Sequence, residues 1–383
     1  MTVKDTELVQ DFDFNDLLSA YYDCRKRKRN TASALKFEIQ LEKNLVSLYR
    51  DLKSGRYKVG RYICFIVTEP KPREVWAANF RDRIVHHLVY NAIKDRFHKR
   101  FICDSYSCIP NKGTLAGARK MLRHARKSTE NYTKKMYYLK ADLSNFFVSI
   151  DKNILFKRLC EKIPEKWIVQ LLRKIIFHDP RKNVYVKSKK ELFDLLPTYK
   201  SLWGFESNEH GLPIGNLTSQ FFSNVYLDML DQYVKRELHC KYYCRYVDDF
   251  IIIGNSPKEL CQKLKLIRTF LRDNLKITLN PKKCYIHQVG KGIDFVGFYI
   301  RPNRLAARKK NVNKMYKTLR RWKQSPTRFE EEPLKKFSIS MNSYLGMLIH
   351  TNNFKVRKDL CERLNSLFIR GDKNFTKTEI SGY

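Results

Sequence analysis

The chain has 383 residues and is strongly basic, with 76 Lys and Arg against 39 Asp and Glu and a formal net charge of +37. This excess indicates a polyanionic partner, because Lys and Arg hold phosphates with release of counterions, and it favours nucleic acid. A membrane protein is disfavoured, since the sequence has no long apolar segment, no basic amphipathic anchor and no signal-peptide order at its start.

The segment before the first acidic motif is predicted to be mostly helical. A run of five basic residues at 25–29 is ordinarily a solvated face, but in so basic a chain it is a candidate RNA contact. Tyr62, Cys64 and Ile66 are spaced by two, which is typical of a strand. The predicted helices are 15–58, 80–101 and a segment from Gly113 towards Lys127, and the predicted strands lie within 61–78.

An apolar strand ending in a carboxylate is predicted at 137–142, with Asp142 as its last residue. An aromatic pair, Phe146 and Phe147, follows this acid. Residues 152–208 then form a mixed, basic insertion. A strand-end carboxylate is a candidate metal ligand once a second acid can be placed beside it.

The segment from Gly211 to Gln220 contains Pro213 and a second glycine, Gly215. These residues predict a turn that lets the backbone approach a ligand closely, followed by a helix. Such a loop can position a nucleotide base pair, but a plain helix entry explains it equally well when it is taken alone.

Asp248 and Asp249 stand between two apolar segments that predict a β-hairpin, with one strand at 243–247 and the returning strand at 250–253. Adjacent side chains on a regular strand diverge, whereas at a tight turn both can project from the tip. An ordinary acidic turn is the simpler reading of these residues alone.

Asp142 together with the hairpin acids gives the set of carboxylates that a two-metal phosphoryl-transfer centre needs. Oxygen ligands with few histidines nearby favour Mg²⁺ over zinc. In such a centre, bound metal lowers the pKa of a primer 3′-hydroxyl and neutralises charge on the triphosphate. The ten cysteines include no Cys-x-x-Cys pair, so a zinc module is disfavoured and reduced thiols in a cytoplasm are expected.

The tail from Ala306 is predicted to be helical. Its apolar stripe is assigned to the core, and its basic flank could lie along a duplex. The stripe residues are Val312, Met315, Leu319 and Trp322, and the flanking residues are Lys314, Lys317, Arg320 and Arg321.

Taken in order, these motifs resemble the reverse transcriptases, and specifically those of diversity-generating retroelements. The matching segments are Lys71–Val75 with Phe80–Arg83 (the fingers motif that meets the triphosphate), Asp104–Cys108 through Lys112–Thr114 (the second motif), Asp142 (the first palm carboxylate), Asp248 and Asp249 (the YxDD pair), Leu279–Lys283 (the next palm motif), Gly292–Phe298 (the primer grip) and Ser343–Leu348 (the thumb signature).

The subtype depends mainly on Leu212–Asn216 with Ser219 and Gln220. Many reverse transcriptases have a glutamine where this chain has Ile214. The form seen here is similar to that of diversity-generating retroelements, whose enzymes misincorporate opposite template adenines. An amide would hydrogen-bond the nucleotide region, whereas Ile214 offers only apolar contact, so its presence is a route to looser base selection.

The resemblance implies roles for single residues. Phe147 is expected to be the steric gate under the sugar, with Phe146 as the competing candidate. Either Lys282 or Lys283 could protonate leaving pyrophosphate. The remaining implied roles are catalysis by Asp142, Asp248 and Asp249; metal binding by Asp142, Leu143, Asp248 and Asp249; dNTP binding by Lys71, Arg73, Phe147, Ile214 and Gln220; fidelity through Arg73 and Ile214; and primer grip by Phe295 and Gly297.

The implied fold is α+β, a right-hand polymerase with an antiparallel palm sheet and a helical thumb. The expected domains are an N-terminal helical extension (1–60), fingers (61–136), the first part of the palm (137–151), a fingers insertion (152–215), the second part of the palm (216–300) and the thumb (301–383). No RNase H, integrase or endonuclease domain is expected after the thumb.

The implied reaction is synthesis of adenine-mutagenic cDNA from a template-repeat RNA with two Mg²⁺ ions, for which Mn²⁺ could substitute. The expected partners are template RNA, the RNA–cDNA duplex, dNTPs and a basic oligomeric accessory variability protein, in the cytoplasm of a bacterial or phage-infected cell and without a membrane. The alternatives are a retron-like or abortive-infection-like reverse transcriptase, and a non-catalytic RNA-binding protein on a polymerase scaffold.

Overall fold

A computed structural model of the chain describes residues 11–26, 30–69, 71–328, 330–365, 369–371 and 374–380. Three residues of the basic run at 25–29 lie outside these ranges. The chain divides into two compact units. The first comprises Met1–Cys103, Asp142–Leu238 and Lys265–Lys282, and the second comprises Asp104–Ala141, His239–Leu264 and Lys283–Tyr383.

Helices and strands alternate irregularly along the chain, as in an α+β fold. The helices are α1 (Phe14–Arg25), α2 (Ala32–Glu38), α3 (Leu41–Lys53), α4 (Phe80–His98), α5 (Thr114–Ser128), α6 (Phe146–Ser149), α7 (Lys152–Cys160), α8 (Lys166–Ile176), α9 (Lys190–Phe193), α10 (Leu217–Gln232), α11 (Pro257–Leu275), α12 (Lys309–Gln324), α13 (Glu331–Leu348) and α14 (Phe354–Leu364). Among the described residues, none of these helices is both long and apolar enough to cross a bilayer.

The strands are short, and most pair antiparallel with a neighbour. They are β1 (Tyr62–Val67), β2 (Arg73–Ala77), β3 (Tyr137–Asp142), β4 (Val184–Val186), β5 (Tyr242–Tyr246), β6 (Asp249–Gly254), β7 (Tyr285–Gln288), β8 (Ile293–Phe295), β9 (Phe298–Arg301), β10 (Arg304–Ala307), β11 (Ile369–Gly371) and β12 (Thr378–Ile380). The predicted α+β class with antiparallel sheets and a helical C-terminal region is therefore confirmed.

The first unit contains a three-stranded sheet in the order β2-β1-β4. β1 and β2 are antiparallel, with Cys64 opposite Trp76, and β4 runs parallel to β1. Tyr62, Cys64 and Ile66 all face the core, as their spacing predicts. The strands predicted within 61–78 are confirmed.

Helices α1 and α4 of the first unit begin at residues whose side chains cap them. Asp13 and Asp16 form a reciprocal capping box at the start of α1, and the Asn79 side chain caps α4. The single helical stretch predicted at 15–58 is three helices, α1 to α3. The predicted helix at 80–101 is confirmed, although it ends at His98.

The second unit is built on a four-stranded sheet in the order β5-β6-β3-β7. β5 and β6 are antiparallel, as are β3 and β7. Helix α5 packs on this sheet, and its Met121 and Ala125 belong to one apolar core with Ile251 and Phe295. Because β6 is an inner strand, its residues 250–253 are buried whichever face they are on.

The C-terminal helices of the second unit have a core of their own. Met315 and Leu319 are buried there, and Trp322 stacks on Phe337 with ring centroids 4.2 Å apart. The assignment of the predicted stripe to the core is confirmed. The helix does not begin at Ala306, however, because that residue pairs with Tyr299 in the strand before it.

Candidate active site

Asp248 and Asp249 lie at the tip of the β5–β6 hairpin. The pair Tyr246–Asp249 closes the hairpin and leaves Val247 and Asp248 as a two-residue turn. Both carboxylates are half-buried. The predicted hairpin is confirmed, but the first strand ends one residue earlier than predicted, because Val247 belongs to the turn.

Val247 is held in a strained conformation. Its φ of 55° lies in the left-handed region that a β-branched residue avoids. Such strain costs roughly 1–3 kcal/mol and persists where the surroundings over-determine it. The buried Arg245 contributes to this, since its Nη1 donates to the Val247 carbonyl at 3.0 Å.

Arg245 also joins the hairpin to the segment that resembles the second family motif. Its main-chain N–H donates to the carbonyl of Asp104, and the Tyr106 N–H donates to the Arg245 carbonyl, both at 3.0 Å. A segment far earlier in the chain therefore extends alongside β5. Together these contacts fix the direction in which the acidic tip points.

β3 is the neighbour of β6 in the sheet, and its last residue is Asp142. The predicted strand-end carboxylate is therefore confirmed as a structural feature. Lys140 and Asp142 share one face of β3, because side chains on a strand alternate with a period of two. The Lys140 Nζ lies 3.3 Å from Asp249 Oδ2.

The main chain around Asp142 is fixed by the segment that resembles the next palm motif. The Asp142 carbonyl accepts from Asn280 N–H, and the Ser144 N–H donates to the Thr278 carbonyl, both at 2.8 Å. These bonds flank Leu143, whose own carbonyl takes no part in them. Since the Leu143 side chain is an apolar group in the core, only this carbonyl could bind a metal ion.

The two aromatic residues after Asp142 have different surroundings. Phe146 is only 2% exposed and belongs to the core, whereas Phe147 is half-buried. The Phe147 carbonyl accepts from the Leu212 N–H at 2.8 Å, which joins it to the glycine-containing loop. Of the two candidates for the steric gate, Phe147 alone has an accessible face.

The loop before α10 is bonded to the end of β2. The Ile214 carbonyl accepts from Trp76 N–H at 2.7 Å, and the Asn216 side chain accepts from Ala78 N–H at 3.0 Å. The same side chain donates to the Trp76 carbonyl at 2.9 Å. Ile214 is half-buried, and these hydrogen bonds hold its main chain beside the strand that begins at Arg73.

Gly215 cannot readily be replaced in this loop. Its φ is 118°, and a Cβ there would lie 2.8 Å from Val75 Cγ1. The predicted turn is present and its backbone lies close to β2, while the approach to a ligand stays a prediction. Gln220, one turn into α10, is exposed.

The predicted phosphate-binding and general-acid residues are all exposed: Lys71, Arg73, Lys282 and Lys283. All four residues are therefore accessible from solvent. Exposure does not decide whether Lys282 or Lys283 is the general acid, because both residues are exposed and lie in one short 3₁₀ helix.

The segment predicted to grip the primer contains a turn at Val296 and Gly297, whose φ values are 44° and 92°. Phe295 is fully buried in the core of the second unit. The prediction that Phe295 grips the primer is therefore restricted to its main chain, because its side chain is committed to packing.

Among the described residues, one group outside the predicted set could hold a metal ion. Asp104, His124 and Cys244 are buried, and their ligand atoms lie within 4.8 Å of one another. Sequence spacing carries no signal for this group, because its members are far apart in the chain. Lys120 Nζ lies 3.4 Å from Asp104 Oδ1 and already balances that carboxylate, which opposes a cation there.

Comparisons with known proteins identify the family of the chain. Residues 69–300 match the family model for reverse transcriptase (RNA-dependent DNA polymerase). Protein YkfC of Escherichia coli is 24% identical over 298 residues, which cover 68% of this chain and 72% of that protein. The putative COX1/OXI3 intron 2 protein of Saccharomyces cerevisiae is 22% identical over 76% of this chain. The group II intron-encoded protein LtrA of Lactococcus lactis is 20% identical over 73% of this chain.

The chain spans only 38% of the yeast relative and 53% of the Lactococcus relative. Among solved structures, telomerase from Candida albicans aligns with a TM-score of 0.47 and 12% identity, over 80% of this chain and 55% of that chain. The family match covers more than half of the sequence and includes Asp142, Asp248 and Asp249. The prediction of an RNA-directed DNA polymerase is confirmed at this level, and the chain belongs to the reverse transcriptase (RNA-dependent DNA polymerase) family.

Proposed function

We propose that this reverse transcriptase makes error-prone, adenine-mutagenic cDNA from a template-repeat RNA in a diversity-generating retroelement. The observation that carries the proposal is Ile214. Its main chain is bonded to Trp76 of β2, and its apolar side chain would offer a bound nucleotide no polar contact. A loop without a hydrogen-bonding side chain at this position should discriminate less strictly between correct and incorrect base pairs than a loop with an amide there.

By their place in the family motifs, the acids would give a donor set suited to Mg²⁺. Asp142, Asp248 and Asp249 supply carboxylates and Leu143 supplies a carbonyl, all hard oxygen ligands, with Mn²⁺ as a possible substitute. Two such ions would lower the pKa of a primer 3′-hydroxyl and would neutralise charge on the phosphates. The role of the chain is to hold these ligands in place, through Arg245 at the hairpin tip and Asn280 at Asp142.

The exposed cations and the aromatic gate would position the nucleotide. Arg73 and Lys71 bind triphosphate oxygens, Arg with the option of a bidentate contact. Phe147 lies under the sugar and excludes a ribose 2′-hydroxyl, while Gln220 and Ile214 border the base pair. Lys282 or Lys283 protonates the leaving pyrophosphate.

The domain names follow from this function. We assign 61–136 and 152–215 to the fingers, 137–151 and 216–300 to the palm, and 301–383 to the thumb, preceded by a helical extension at 1–60. The partners would be template RNA, the RNA–cDNA duplex and a basic oligomeric accessory protein, in the cytoplasm of a bacterial or phage-infected cell.

The first test is to sequence the cDNA that the purified chain makes with dNTPs, Mg²⁺, the adjacent repeat RNA and the neighbouring accessory protein. We expect long products with errors concentrated at template adenines. Asp248→Asn should lower synthesis by more than about 100-fold, because losing one preorganised electrostatic group from an active site costs roughly two to three orders of magnitude. RNA binding should persist in this variant.

The possible results separate the alternatives. Accurate cDNA would keep the polymerase but reject the retroelement subtype in favour of a retron-like or abortive-infection-like enzyme. RNA binding without any product that depends on Asp248 would leave a non-catalytic RNA-binding protein.

Ile214→Gln tests the proposed basis of infidelity. The amide restores a hydrogen-bonding group at the loop, so misincorporation at template adenines should fall by about 10-fold, the scale of one modest contact in substrate discrimination. Ile214→Leu is the matched control, because it keeps an apolar side chain of equal size. An unchanged error spectrum in Ile214→Gln would remove Ile214 from the mechanism.

A further inference from the structure

One face of β3 is joined to the adjacent segment 292–294 by two buried side chains. Tyr138 Oη donates to the Gly292 carbonyl at 3.3 Å, and Lys140 Nζ donates to the Asp294 carbonyl at 2.7 Å. The donors are two residues apart on β3, and the acceptors are two residues apart in the other segment. Because side chains two apart share a face, these bonds hold the two segments in one register.

Lys140 makes a second contact that Tyr138 does not. Its Nζ also lies 3.3 Å from Asp249 Oδ2, and the two side chains are 11% and 23% exposed. An ammonium group has three donors, so it can serve both partners together. A lysine this buried is costly unless it is paired, and these contacts supply the pairing.

Asp294 is itself fixed from the other side, because Arg308 Nε donates to its carboxylate. The carbonyl that Lys140 contacts therefore belongs to an anchored residue. Two residues further along the chain begins the half-buried Val296–Gly297 turn of the grip segment, whose Gly297 carbonyl accepts from the Arg308 N–H at 3.2 Å. A single cationic group thus connects the acidic hairpin with the root of that turn.

We propose that Lys140 is a positioning residue that sets both the metal affinity of the acidic hairpin and the placement of the primer end. The inference rests on the proposed function, in which Asp249 is a metal ligand and the turn grips the primer. A cation beside Asp249 opposes the binding of another cation, so Lys140 keeps divalent-metal affinity low until nucleotide phosphates add negative charge.

Three variants of the full chain separate these effects. Lys140→Met removes the charge and both of its interactions. Lys140→Arg keeps the charge beside Asp249, although its planar group differs in geometry. Tyr138→Phe removes the neighbouring hydrogen bond and leaves Asp249 untouched, so it is the matched control for weaker packing between the strands.

The first measurement is the affinity for Mn²⁺ in the absence of nucleic acid and nucleotide. Binding is monitored by electron paramagnetic resonance. We expect Lys140→Met to bind Mn²⁺ about 10-fold more tightly, as removal of one close charge in a partly buried site implies. Lys140→Arg and Tyr138→Phe should bind it with the affinity of the unchanged chain.

The second measurement is primer extension, with kcat and the KM for primer–template determined separately. Lys140→Met should raise this KM about 10-fold because the turn loses its anchor, and Tyr138→Phe should raise it less. Thermal unfolding of each variant shows whether it is folded. If Lys140→Met is not folded, the uncharged polar variant Lys140→Gln decides by the same two readouts, with tighter Mn²⁺ binding and a raised KM as the supporting result.

Unchanged Mn²⁺ affinity in Lys140→Met would overturn the proposal, as would equal increases in affinity in Lys140→Met and Tyr138→Phe, which would indicate general loosening. These outcomes are distinct from failure of the proposed function. If the unchanged chain makes no cDNA, that function fails, while the Mn²⁺ measurement still decides whether Lys140 controls the hairpin.

Discussion

Phe146 and Phe147 are adjacent residues with the same side chain and opposite environments. Phe146 is packed in the core, and Phe147 is half-buried with its main-chain carbonyl bonded to the Leu212 N–H. Their ring centroids are 5.3 Å apart. The pair therefore offers an internal control for the steric-gate assignment.

Phe147→Ala should admit ribonucleotides. Without the ring, a ribose 2′-hydroxyl meets open space, so the preference for dNTPs over rNTPs should fall by roughly 10- to 100-fold, the range for rejecting an added hydroxyl by shape. The measurement is the ratio of kcat/KM for the two nucleotides, and an unaltered ratio would refute the assignment.

Phe146→Ala is the control for that experiment. Replacing a fully buried phenylalanine by alanine lowers the free energy of unfolding by about 3–5 kcal/mol, so this variant should be much less stable. Its nucleotide preference should stay close to that of the unchanged chain at a temperature where it remains folded.

At the scale of single residues, the sequence is enough to find the candidate catalytic aspartates but not the side chains that contact them. Asp142, Asp248 and Asp249 stand out because carboxylates at the ends of apolar strands need an explanation. Lys140 does not, since one lysine among 76 basic residues carries no local signal. Its contacts are with Asp249 and Asp294, both far along the chain, and only tertiary structure reveals such pairings.

At the scale of elements, α7 depends on one acidic cap. Asp151 Oδ1 accepts from the N–H groups of Asn153 and Ile154 at 2.9 and 3.0 Å, and Oδ2 accepts from Lys276 Nζ at 2.8 Å. Burial alone raises the pKa of Asp151, but these hydrogen bonds outweigh it and hold the pKa below its usual value. The cap thus joins α7 to the chain just after α11.

Asp151→Ala should lower the free energy of unfolding by about 1–2 kcal/mol, the usual cost of losing an N-cap. Asp151→Asn keeps a capping oxygen and loses the charge. Because the folded pKa is lowered, the stabilisation from ionised Asp151 is present at neutral pH and is lost as the pH falls through that folded pKa.

Urea unfolding at a series of pH values from neutral into the acid range checks both statements. The gap in stability between the unchanged chain and Asp151→Asn should close as the pH falls. A gap that stays constant over this range would show that the charge of Asp151 does not contribute.

Long periodic elements were predictable, and short ones were not. Helices α4, α5 and α10 follow from apolar spacing with Gly or Asn at their starts. β10 was missed, because Ala306 carries no strand preference and its pairing with Tyr299 comes from the sheet. The breaks between α1, α2 and α3 were missed for a similar reason, since tertiary packing decides where one helix yields to the next.

At the scale of the whole molecule, the dominant property is charge. A net charge of +37 attracts any polyanion, so affinity alone cannot distinguish the template from other RNA. On α12, Lys317 and Arg320 are exposed. We expect them to contact phosphates of a bound duplex.

Changing Lys317 and Arg320 to Gln should weaken duplex binding and flatten its salt dependence. The slope of log K against log salt should fall by about 0.9 for each phosphate that is no longer neutralised. The control removes the same charge elsewhere, by changing Lys335 and Lys336 on α13 to Gln. Both already pair with acids one turn earlier, Glu331 and Glu332. Equal slopes in the two double variants would show that α12 has no special role.

The β5–β6 hairpin has a two-residue turn, and the number of residues in this turn is as constrained as their identity. One residue inserted beside Val247 would shift the pairing of β6 by one position and exchange its two faces. Ile251 would leave the core it shares with Met121, and Asp249 would point away from Lys140. An insertion at this tip would therefore disrupt the packing of the sheet and also displace the Asp249 carboxylate. Functional variants of this hairpin should differ in amino-acid composition and never in length.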